Sequence, residues 1–306
     1  MADDFRDARL TERRNPRTQS IDTASSLEIV DLVNAEDATV PAAVARAREA
    51  IATTIDLVEH AFRSGGRLIY VGAGTSGRLG VLDATECPPT YGSPPELVVG
   101  VIAGGPPALV RSVEGAEDDE AAGGAAMDEL GISERDVVVG IAASGTTPYV
   151  GAALRRSRER GARTVFLSCT EPPKGIAADV CITVLVGPEV VTGSTRMKAG
   201  TATKLVLNTI TTGAMIRLGK IYGNLMVDLR AWNEKLVDRS RRIVMETTGL
   251  SRDAAGEVIT AAGGRVKTAI VMARRGTTRE EAERLLAEQD GRLRAIVGDP
   301  PPMPAA

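Results

Sequence analysis

The sequence predicts an α/β protein with a doubly wound, mainly parallel sheet of five strands. Three observations indicate this class. Five short runs rich in β-branched residues are apolar throughout, as in strands that are covered on both faces. Helical patterns separate several of these runs. Hydroxyl-rich and glycine-rich loops follow three of them, at the edge where parallel sheets bind their ligands. We also expect helices before the sheet and a small helical unit after it.

The predicted elements begin with an arm over residues 1–40, either solvated or clasping a second subunit, with a short helix at 25–37. An amphipathic helix is predicted over 40–62, where apolar residues recur with a spacing of 3.6, and "SGG" then ends it. The predicted strands are 67–72, 97–104, 136–144, 163–169 and 179–187, with a helix at 148–161 between the third and the fourth.

The last third of the chain is predicted to be helical. Long helices are expected over 194–218 and 225–246, and shorter ones at 251–263, 265–276 and 278–298. Thr278 or Thr277 is the expected N-cap of the last of these, because glutamates follow in its first turn. The proline-rich end cannot continue a helix. The predicted domains are therefore an arm at 1–40, a ligand-binding domain at 41–247, a helical domain at 248–298 and a flexible tail at 299–306.

The composition argues against several classes of partner. The formal net charge of −3 gives no overall basic field, and aromatic residues make up only 3% of the chain. Nucleic-acid binding is therefore not expected, since it needs basic surface and stacking platforms. We expect no membrane span, because no run of 18 apolar residues occurs. Three cysteines without metal-type spacing fit a reducing cytoplasm.

The stretch "GAGTSG" at 72–77 formally matches the dinucleotide fingerprint after a strand. That fingerprint also needs an acid at the end of the next strand, which here ends in "VIAGG", and no Lys-Ser/Thr pair follows Gly77 as a Walker loop requires. The loop instead predicts a phosphate site at a helix start, where backbone N–H groups and hydroxyls favour an anion. The residues expected to bind phosphate there are Gly74, Thr75, Ser76 and Gly77.

Two further loops carry the same kind of residue. The loop after the third strand offers Ser144, Gly145, Thr146 and Thr147, and the loop after the fifth offers Ser194, Thr195, Arg196 and Lys198. Three such loops, each after a strand of one sheet, predict a shared phosphate-binding edge. The pattern leaves open whether Lys198 and Arg196 pair with a substrate anion or lie on a solvated helix face.

Two glutamates are candidates for acid–base chemistry. Glu86 lies in the nearly uncharged "ATECPPT", where we expect desolvation to raise its pKa, and Glu117 lies in the acidic "VEGAEDDE", at the start of a predicted helix that would keep it ionised. A neutral and an ionised carboxyl can serve as acid and base. The pattern alone leaves open that both are ordinary helix-end acids. His60 is expected on a helix face.

Long motifs carry a resemblance to a known family. "GRLIYVGAGTSGRLGVLDATECPPTYG", "VEGAED", "VVGIAASGTTPYV", "VVTGSTRMKAGTATKLVLN" and "GNLMVDL" resemble the N-acetylmuramic acid 6-phosphate etherases, over about residues 11–298. The strand–loop pairs also resemble the SIS (sugar isomerase) domain, a phosphosugar-binding fold. One position departs from the pattern: Thr146 stands where many etherases carry arginine.

The resemblance implies a lyase of amino-sugar recycling in the cell wall. Such an enzyme releases D-lactate from N-acetylmuramate 6-phosphate and leaves N-acetylglucosamine 6-phosphate. It implies a cytoplasmic homodimer that works without metal or organic cofactor. Glu86 falls on the family's general acid, and Glu117 falls on its second catalytic glutamate, the expected base. Two alternatives stay open: a phosphosugar isomerase, whose base Glu189 resembles in position, and a non-enzymatic sensor similar to the glucokinase regulatory protein.

Overall fold

The computed structural model describes residues 9–229 and 234–302. Five strands form its main sheet: β1 Leu68–Gly72, β2 Val98–Ile102, β3 Val137–Ile141, β4 Arg163–Ser168 and β5 Val180–Thr183. They are all parallel and lie in the order β2-β1-β3-β4-β5. Each lies inside a run that the sequence predicted, so the predicted fold class is confirmed. The direction in which successive strands are added to the sheet reverses between β1 and β3. Ligands of such sheets bind at the carboxyl ends of the strands at this switch point, so we expect the ligand there.

Helices precede, separate and follow these strands along the chain and make up most of its last third. They are α1 Ser26–Asp37, α2 Val40–Arg46, α3 Arg48–Arg63, α4 Gly74–Tyr91, α5 Glu120–Glu129, α6 Pro148–Glu159, α7 Lys198–Arg217, α8 Glu234–Thr248, α9 Arg252–Ala261, α10 Val266–Arg275, α11 Arg279–Glu288 and α12 Leu293–Val297. Caps fix several ends: Ser25 forms a capping box with Glu28, and Thr278 caps α11 as predicted. No described helix is both long and apolar enough to cross a membrane.

Four predicted helices have the wrong limits. The helix predicted over 40–62 is divided into α2 and α3 at Ala47, whose backbone leaves the helical region. The pattern at 278–298 likewise gives two helices, α11 and α12, because Asp290 takes a positive φ of 50° between them. The predicted helix over 225–246 is wrong at its start, where a short antiparallel hairpin joins β6 Ile221–Tyr222 to β7 Leu225–Met226. The fourth, predicted from residue 194, begins at Lys198 as α7.

Contacts divide the chain into two compact units. The first comprises Met1–Thr85 and Glu96–Thr211, and the second comprises Glu86–Pro95 and Thr212–Ala306. The first holds the five-stranded sheet, and the second has its own apolar core around Val244, Ile270 and Val271. The boundary predicted at residue 248 falls between α8 and α9, which pack together. The functional domain limits stay a prediction.

One buried carboxylate fastens the elements beneath the ligand edge of the first unit. Asp83 on α4 is 4% exposed and accepts from the hydroxyl of Tyr70 on β1 at 2.9 Å. On α7, the Asn208 amide donates to it at 2.6 Å and the Thr211 hydroxyl at 3.2 Å. A buried carboxylate is stable when it is satisfied in this way. Asp83 therefore fixes α4 and α7 against β1.

Candidate active site

The β1 loop opens α4 at the carboxyl edge of the sheet. Gly74 is exposed with φ of 52°, and Thr75 and Ser76 follow half-buried in the first helical turn. Helix N-termini offer free N–H groups to an anion. Gly77 does not contribute as predicted, because it is buried and its N–H donates to the Ala73 carbonyl at 3.2 Å. Three of the four predicted residues thus remain open to a ligand.

Gly77 has a packing role instead. A Cβ placed on Gly77 would lie 2.6 Å from Cγ1 of Ile102 and 2.7 Å from the carbonyl oxygen of Gly72. A Cβ on Gly72 would meet the nitrogen of Gly77 at 2.7 Å. These two glycines therefore let α4 lie directly against β1 and β2. Only Gly74 is left with open space around it.

The β3 loop lies next to the β1 loop, because β1 and β3 are adjacent and parallel. Ser144 and Thr147 are half-buried and Thr146 is exposed, whereas Gly145 is buried with φ of 82°. Within the described chain the hydroxyl of Thr147, the N-cap of α6, makes no capping bond. The hydroxyls and the N-terminus of α6 are thus available to an anion.

The third predicted loop reaches the same edge. A Cβ on Gly200, in the first turn of α7, would lie 3.6 Å from Cγ2 of Thr75. Ser194 and Thr195 are half-buried just before this turn, and Arg196 is exposed. The predicted helix start at 194 is wrong, because residues 191–197 form turns and α7 begins at Lys198. The structure therefore brings the three predicted loops together.

Lys198 and Glu189 occupy different places from those predicted. Lys198 is 1% exposed, and its Nζ lies 2.5 Å from Oε2 of Glu36. Arg17 contacts the other oxygen of this carboxylate, Oε1, also at 2.5 Å. Glu189 is fully buried, and its two oxygens accept the backbone N–H groups of Lys198 and Ala199 at 3.0 and 2.9 Å. Both side chains support the loop from within, contrary to the prediction that they contact substrate.

The buried carboxyls of Glu189 and Glu36 have pKa values that are shifted in opposite directions. Burial raises the pKa of Glu189, and the two N–H groups that it accepts oppose this only in part. Burial would also raise the pKa of Glu36, but hydrogen bonds from Lys198 and Asn15 and the charges of Lys198 and Arg17 outweigh it, so the pKa of Glu36 is lowered. Glu36 is therefore held ionised as the centre of a buried ion-pair group.

Glu117 lines a pocket of about 190 Å³ together with Gly74 and Arg78. It is exposed and lies in a short 3-10 turn, Ala116–Asp118. The prediction that it begins the following helix is wrong, because α5 starts at Glu120 and Asp119 caps it. Glu117 is nevertheless brought to the β1 loop, in a pocket that Arg78 also lines. A carboxylate in this position can take a proton from a ligand held by the loop.

Glu86 lies on α4 and is exposed. The prediction that Glu86 is desolvated, which was based on its uncharged sequence neighbours, is therefore wrong for the described chain. Pro88 and Pro89 continue the same helix, and because proline has no N–H they leave the carbonyls of Ala84 and Thr85 without helical donors. Contacts assign Glu86 to the second compact unit, whereas Glu117 belongs to the first.

The N-terminal arm contributes contacts that sequence reasoning missed. Nη1 of Arg9 donates to the Thr146 hydroxyl at 3.2 Å, the Leu10 N–H donates to Thr170 at 3.4 Å, and the Thr18 hydroxyl donates to the Val190 carbonyl at 2.9 Å. The arm therefore runs along the strand-end loops of the first unit. Its sequence is irregular, so no periodic pattern could have placed it there.

A second pocket at this edge was also missed. It measures about 220 Å³ and is lined by Thr146, Thr147, Arg155 and Lys174. Lys174 lies in the loop after β4, which contains neither a glycine pattern nor a row of hydroxyls, so its sequence predicts no binding site. Among the described residues, no cluster of three His, Cys, Asp or Glu side chains could hold a metal ion.

Comparisons with known proteins decide the family. The N-acetylmuramic acid 6-phosphate etherase of Serratia proteamaculans is 53% identical over 291 residues, which cover 95% of this chain and 98% of the relative. That of Edwardsiella ictaluri is 54% identical over 294 residues, covering 96% and 98%. The chain belongs to the N-acetylmuramic acid 6-phosphate etherase family. The resemblance that the motifs indicated is thereby confirmed.

Two more distant likenesses accompany this etherase-family match. The family model of the glucokinase regulatory protein N-terminal SIS domain matches residues 50–158. Among solved structures, phosphoheptose isomerase from Neisseria gonorrhoeae is 20% identical, with a TM-score of 0.46, over 62% of this chain and 98% of that one. The family-model match places the SIS domain of this etherase-family chain over residues 50–158, which include the β1 and β3 loops.

Proposed function

We propose that this protein is a carbon–oxygen lyase of amino-sugar recycling, an N-acetylmuramic acid 6-phosphate etherase. It would cleave the D-lactyl ether of N-acetylmuramate 6-phosphate to N-acetylglucosamine 6-phosphate and D-lactate. The observation that carries the proposal is identity above one half with etherases over 95% of the chain. The anion-binding character of the β1 and β3 loops supports a phosphorylated substrate.

The chemistry explains why an acid and a base are needed. An alkoxide is a poor leaving group, so the ether does not break unaided. Opening of the sugar ring exposes the C1 aldehyde, which makes the C2 proton acidic. A base then removes that proton while an acid protonates the ether oxygen, and the C3–O bond breaks to release lactate. One water molecule adds across the resulting C2–C3 double bond, with OH at C3 and H at C2.

We assign the base to Glu117 and the acid to Glu86, as the family resemblance implies. Glu117 is supported by its pocket, which it shares with Gly74 and Arg78. Glu86 is exposed in the described chain, so the bound substrate itself has to exclude water from it. Exclusion of water favours the protonated form that an acid requires. The proposal requires an ionised Glu117 and a protonated Glu86 in the same reaction.

We assign the phosphate to the start of α4 and of α6. The groups proposed to contact it are the N–H groups and hydroxyls of Gly74, Thr75, Ser76, Ser144, Thr146 and Thr147, with Ser194 and Thr195 beside them. The predicted contact from Gly145 is left out, because Gly145 is buried and its N–H donates to the Ala142 carbonyl at 2.9 Å. Hydroxyls and helix N-termini bind phosphate because both present donors to its oxygens. Arg9 already donates to Thr146 and offers a positive charge next to these groups. We propose further that the enzyme is a cytoplasmic homodimer.

The first test measures lactate release from N-acetylmuramate 6-phosphate in heavy water. The wild type should release one lactate per sugar and incorporate deuterium at C2. Glu117→Gln should lose both lactate release and C2 exchange, whereas Glu86→Gln should lose lactate release and retain C2 exchange. Each loss should be about 100-fold or more, which is typical for a general acid or base.

Matched substitutions separate these effects from loss of folding. Asp118→Asn alters the exposed acid next to Glu117, and Glu96→Gln alters an exposed acid before β2, so both should keep wild-type rates. If the wild type binds the phosphosugar but releases no lactate, the protein is a sensor and the proposal fails. If Glu86→Gln retains its rate, elimination does not use this acid.

A further inference from the structure

A pocket of about 710 Å³ lies wholly within the second unit, among residues that the lyase mechanism does not use. Its size is within the range of pockets that hold small molecules. The charged side chains that line it are those of Lys220, Asp228, Arg265 and Lys267. Arg265 also pairs with Glu283 at 3.4 Å, a residue that does not line the pocket, so the positive excess comes from Lys220 and Lys267, which share the one carboxylate.

The single carboxylate serves two of these cations through one oxygen. Nζ of Lys267 lies 2.6 Å from Oδ2 of Asp228, and Nζ of Lys220 lies 3.2 Å from the same atom. Lys267 is 7% exposed and also donates to the Gly219 carbonyl at 3.0 Å. Burial lowers the pKa of Lys267, and Asp228 opposes this. A further anion would therefore stabilise the charged form of Lys267.

The other oxygen of this carboxylate is free for a ligand. Oδ1 of Asp228 has no hydrogen bond to the described residues, since both of the carboxylate's ion pairs use Oδ2. A carboxylate oxygen in such a pocket accepts a hydroxyl group. The pocket therefore combines an excess of positive charge with one acceptor for a hydroxylated ligand.

The start of α10 opens onto the same pocket. Val266, Lys267 and Thr268 form its first turn and line the pocket. In the described chain, the side chain of the N-cap residue, Arg265, makes no hydrogen bond to the N–H groups of this turn. Thr268 is only 3% exposed, yet its hydroxyl has no hydrogen-bond partner in the part of the chain that the structure describes. The hydroxyl oxygen itself is not fully buried, so a ligand in the pocket can reach it. A ligand oxygen would satisfy it together with the helix N–H groups.

We infer that this pocket is a second binding site, for a small phosphate monoester that carries hydroxyl groups. The phosphate contacts the first turn of α10, the Thr268 hydroxyl and the ammonium groups of Lys220 and Lys267. A ligand hydroxyl donates to Oδ1 of Asp228. The volume exceeds what a bare phosphate ion needs, which favours an ester over the free ion.

Nuclear magnetic resonance can follow this site apart from the lyase site. The full-length protein is titrated with glycerol 3-phosphate, and with glycerol as the uncharged control, while the amide signals of Lys267 and Thr268 are followed. The amides of Thr75 and Ser76 report the proposed lyase site separately. Glycerol 3-phosphate should give saturable shifts at Lys267 and Thr268, glycerol should give none, and added salt should weaken the binding.

Variants test the contacts. Thr268→Val keeps the shape of the side chain and should weaken binding about tenfold, as expected for a hydrogen bond to a charged group. Lys220→Gln, at a half-buried position, should also weaken it. Thr260→Val makes the same change at an exposed position on α9 and should bind as the wild type does. Melting temperatures confirm that each variant is folded.

Two outcomes overturn the inference. One is the absence of a saturable shift at Lys267 and Thr268 in the wild type. The other is wild-type affinity in both Thr268→Val and Lys220→Gln. Neither outcome bears on lactate release, so the lyase proposal stands or falls by its own test.

Discussion

At the scale of single residues, the glycines of the β1 loop divide into two kinds. All of them match one sequence motif, but Gly72 and Gly77 contact each other across the β1–α4 junction, and Gly74 alone has both a positive φ and open space. The first kind is required by close packing, and the second by backbone conformation. A motif gives only the identity of these residues, so it cannot separate the two requirements.

This division predicts different costs for the same substitution. Gly77→Ala should lower the free energy of unfolding by about 2–3 kcal/mol, because its methyl group would overlap Ile102 and the Gly72 carbonyl. Gly74→Ala should cost about 1 kcal/mol, which is only the strain of a left-handed alanine. Urea denaturation measures both. Equal losses would contradict the packing role assigned to Gly77.

The two proposed catalytic glutamates show where residue-level prediction fails. Their sequence neighbours suggested a buried Glu86 and a Glu117 at a helix start. In the structure Glu86 is exposed on α4, and Glu117 lies in a short turn beside the β1 loop. Uncharged neighbours along a helix occupy different faces of it, so they do not determine which face is covered. Exposure is decided by what packs on that face.

At the scale of elements, the N-terminal arm and the loop before α7 depend on each other. Glu36 at the end of α1 holds Lys198, the first residue of α7, and Arg17 of the arm. Asn15 donates to the Pro188 carbonyl at 3.3 Å. The buried ion pair between Glu36 and Lys198 thus attaches the arm to the loop that carries Ser194 and Thr195.

Replacing Glu36 should loosen this attachment in a pH-dependent way. At pH 7, Glu36→Gln leaves the Lys198 ammonium buried without its counter-ion and should cost about 3 kcal/mol of unfolding free energy. The pKa of Glu36 is lowered from its ordinary value of 4.5, so its contribution is present above that pH and is lost as the pH falls below it. The difference between wild type and variant should therefore shrink in acid.

Urea denaturation at several pH values measures this difference, with Glu49→Gln as the control. Glu49 is exposed on α3, and its replacement should change the unfolding free energy by less than about 0.5 kcal/mol at every pH. A difference between the wild type and Glu36→Gln that stays constant from neutral to acid pH would show that the carboxylate's charge does not stabilise the arm.

At the scale of the whole molecule, the proposed homodimer makes a simple prediction. Light scattering should give a mass of twice the 32.0 kDa of one chain, under the same conditions in which lactate is released. Dilution that dissociates the dimer should then lower the mass and the specific activity together if the second subunit is needed. Full activity at the mass of one chain would contradict the proposed dimer.

The sequence alone determined the sheet, its parallel strands, the positions of the three hydroxyl-rich loops after β1, β3 and β5, and the family. These features depend on local patterns: continuous apolar runs, glycine and hydroxyl positions, and long motifs. Only the tertiary structure decided that Lys198 and Glu189 are buried supports, that Gly77 packs, that the arm follows the loops and that a charged pocket lies at α10. Burial and pairing join residues that are far apart in sequence, such as Glu36 and Lys198, and no local pattern carries that information.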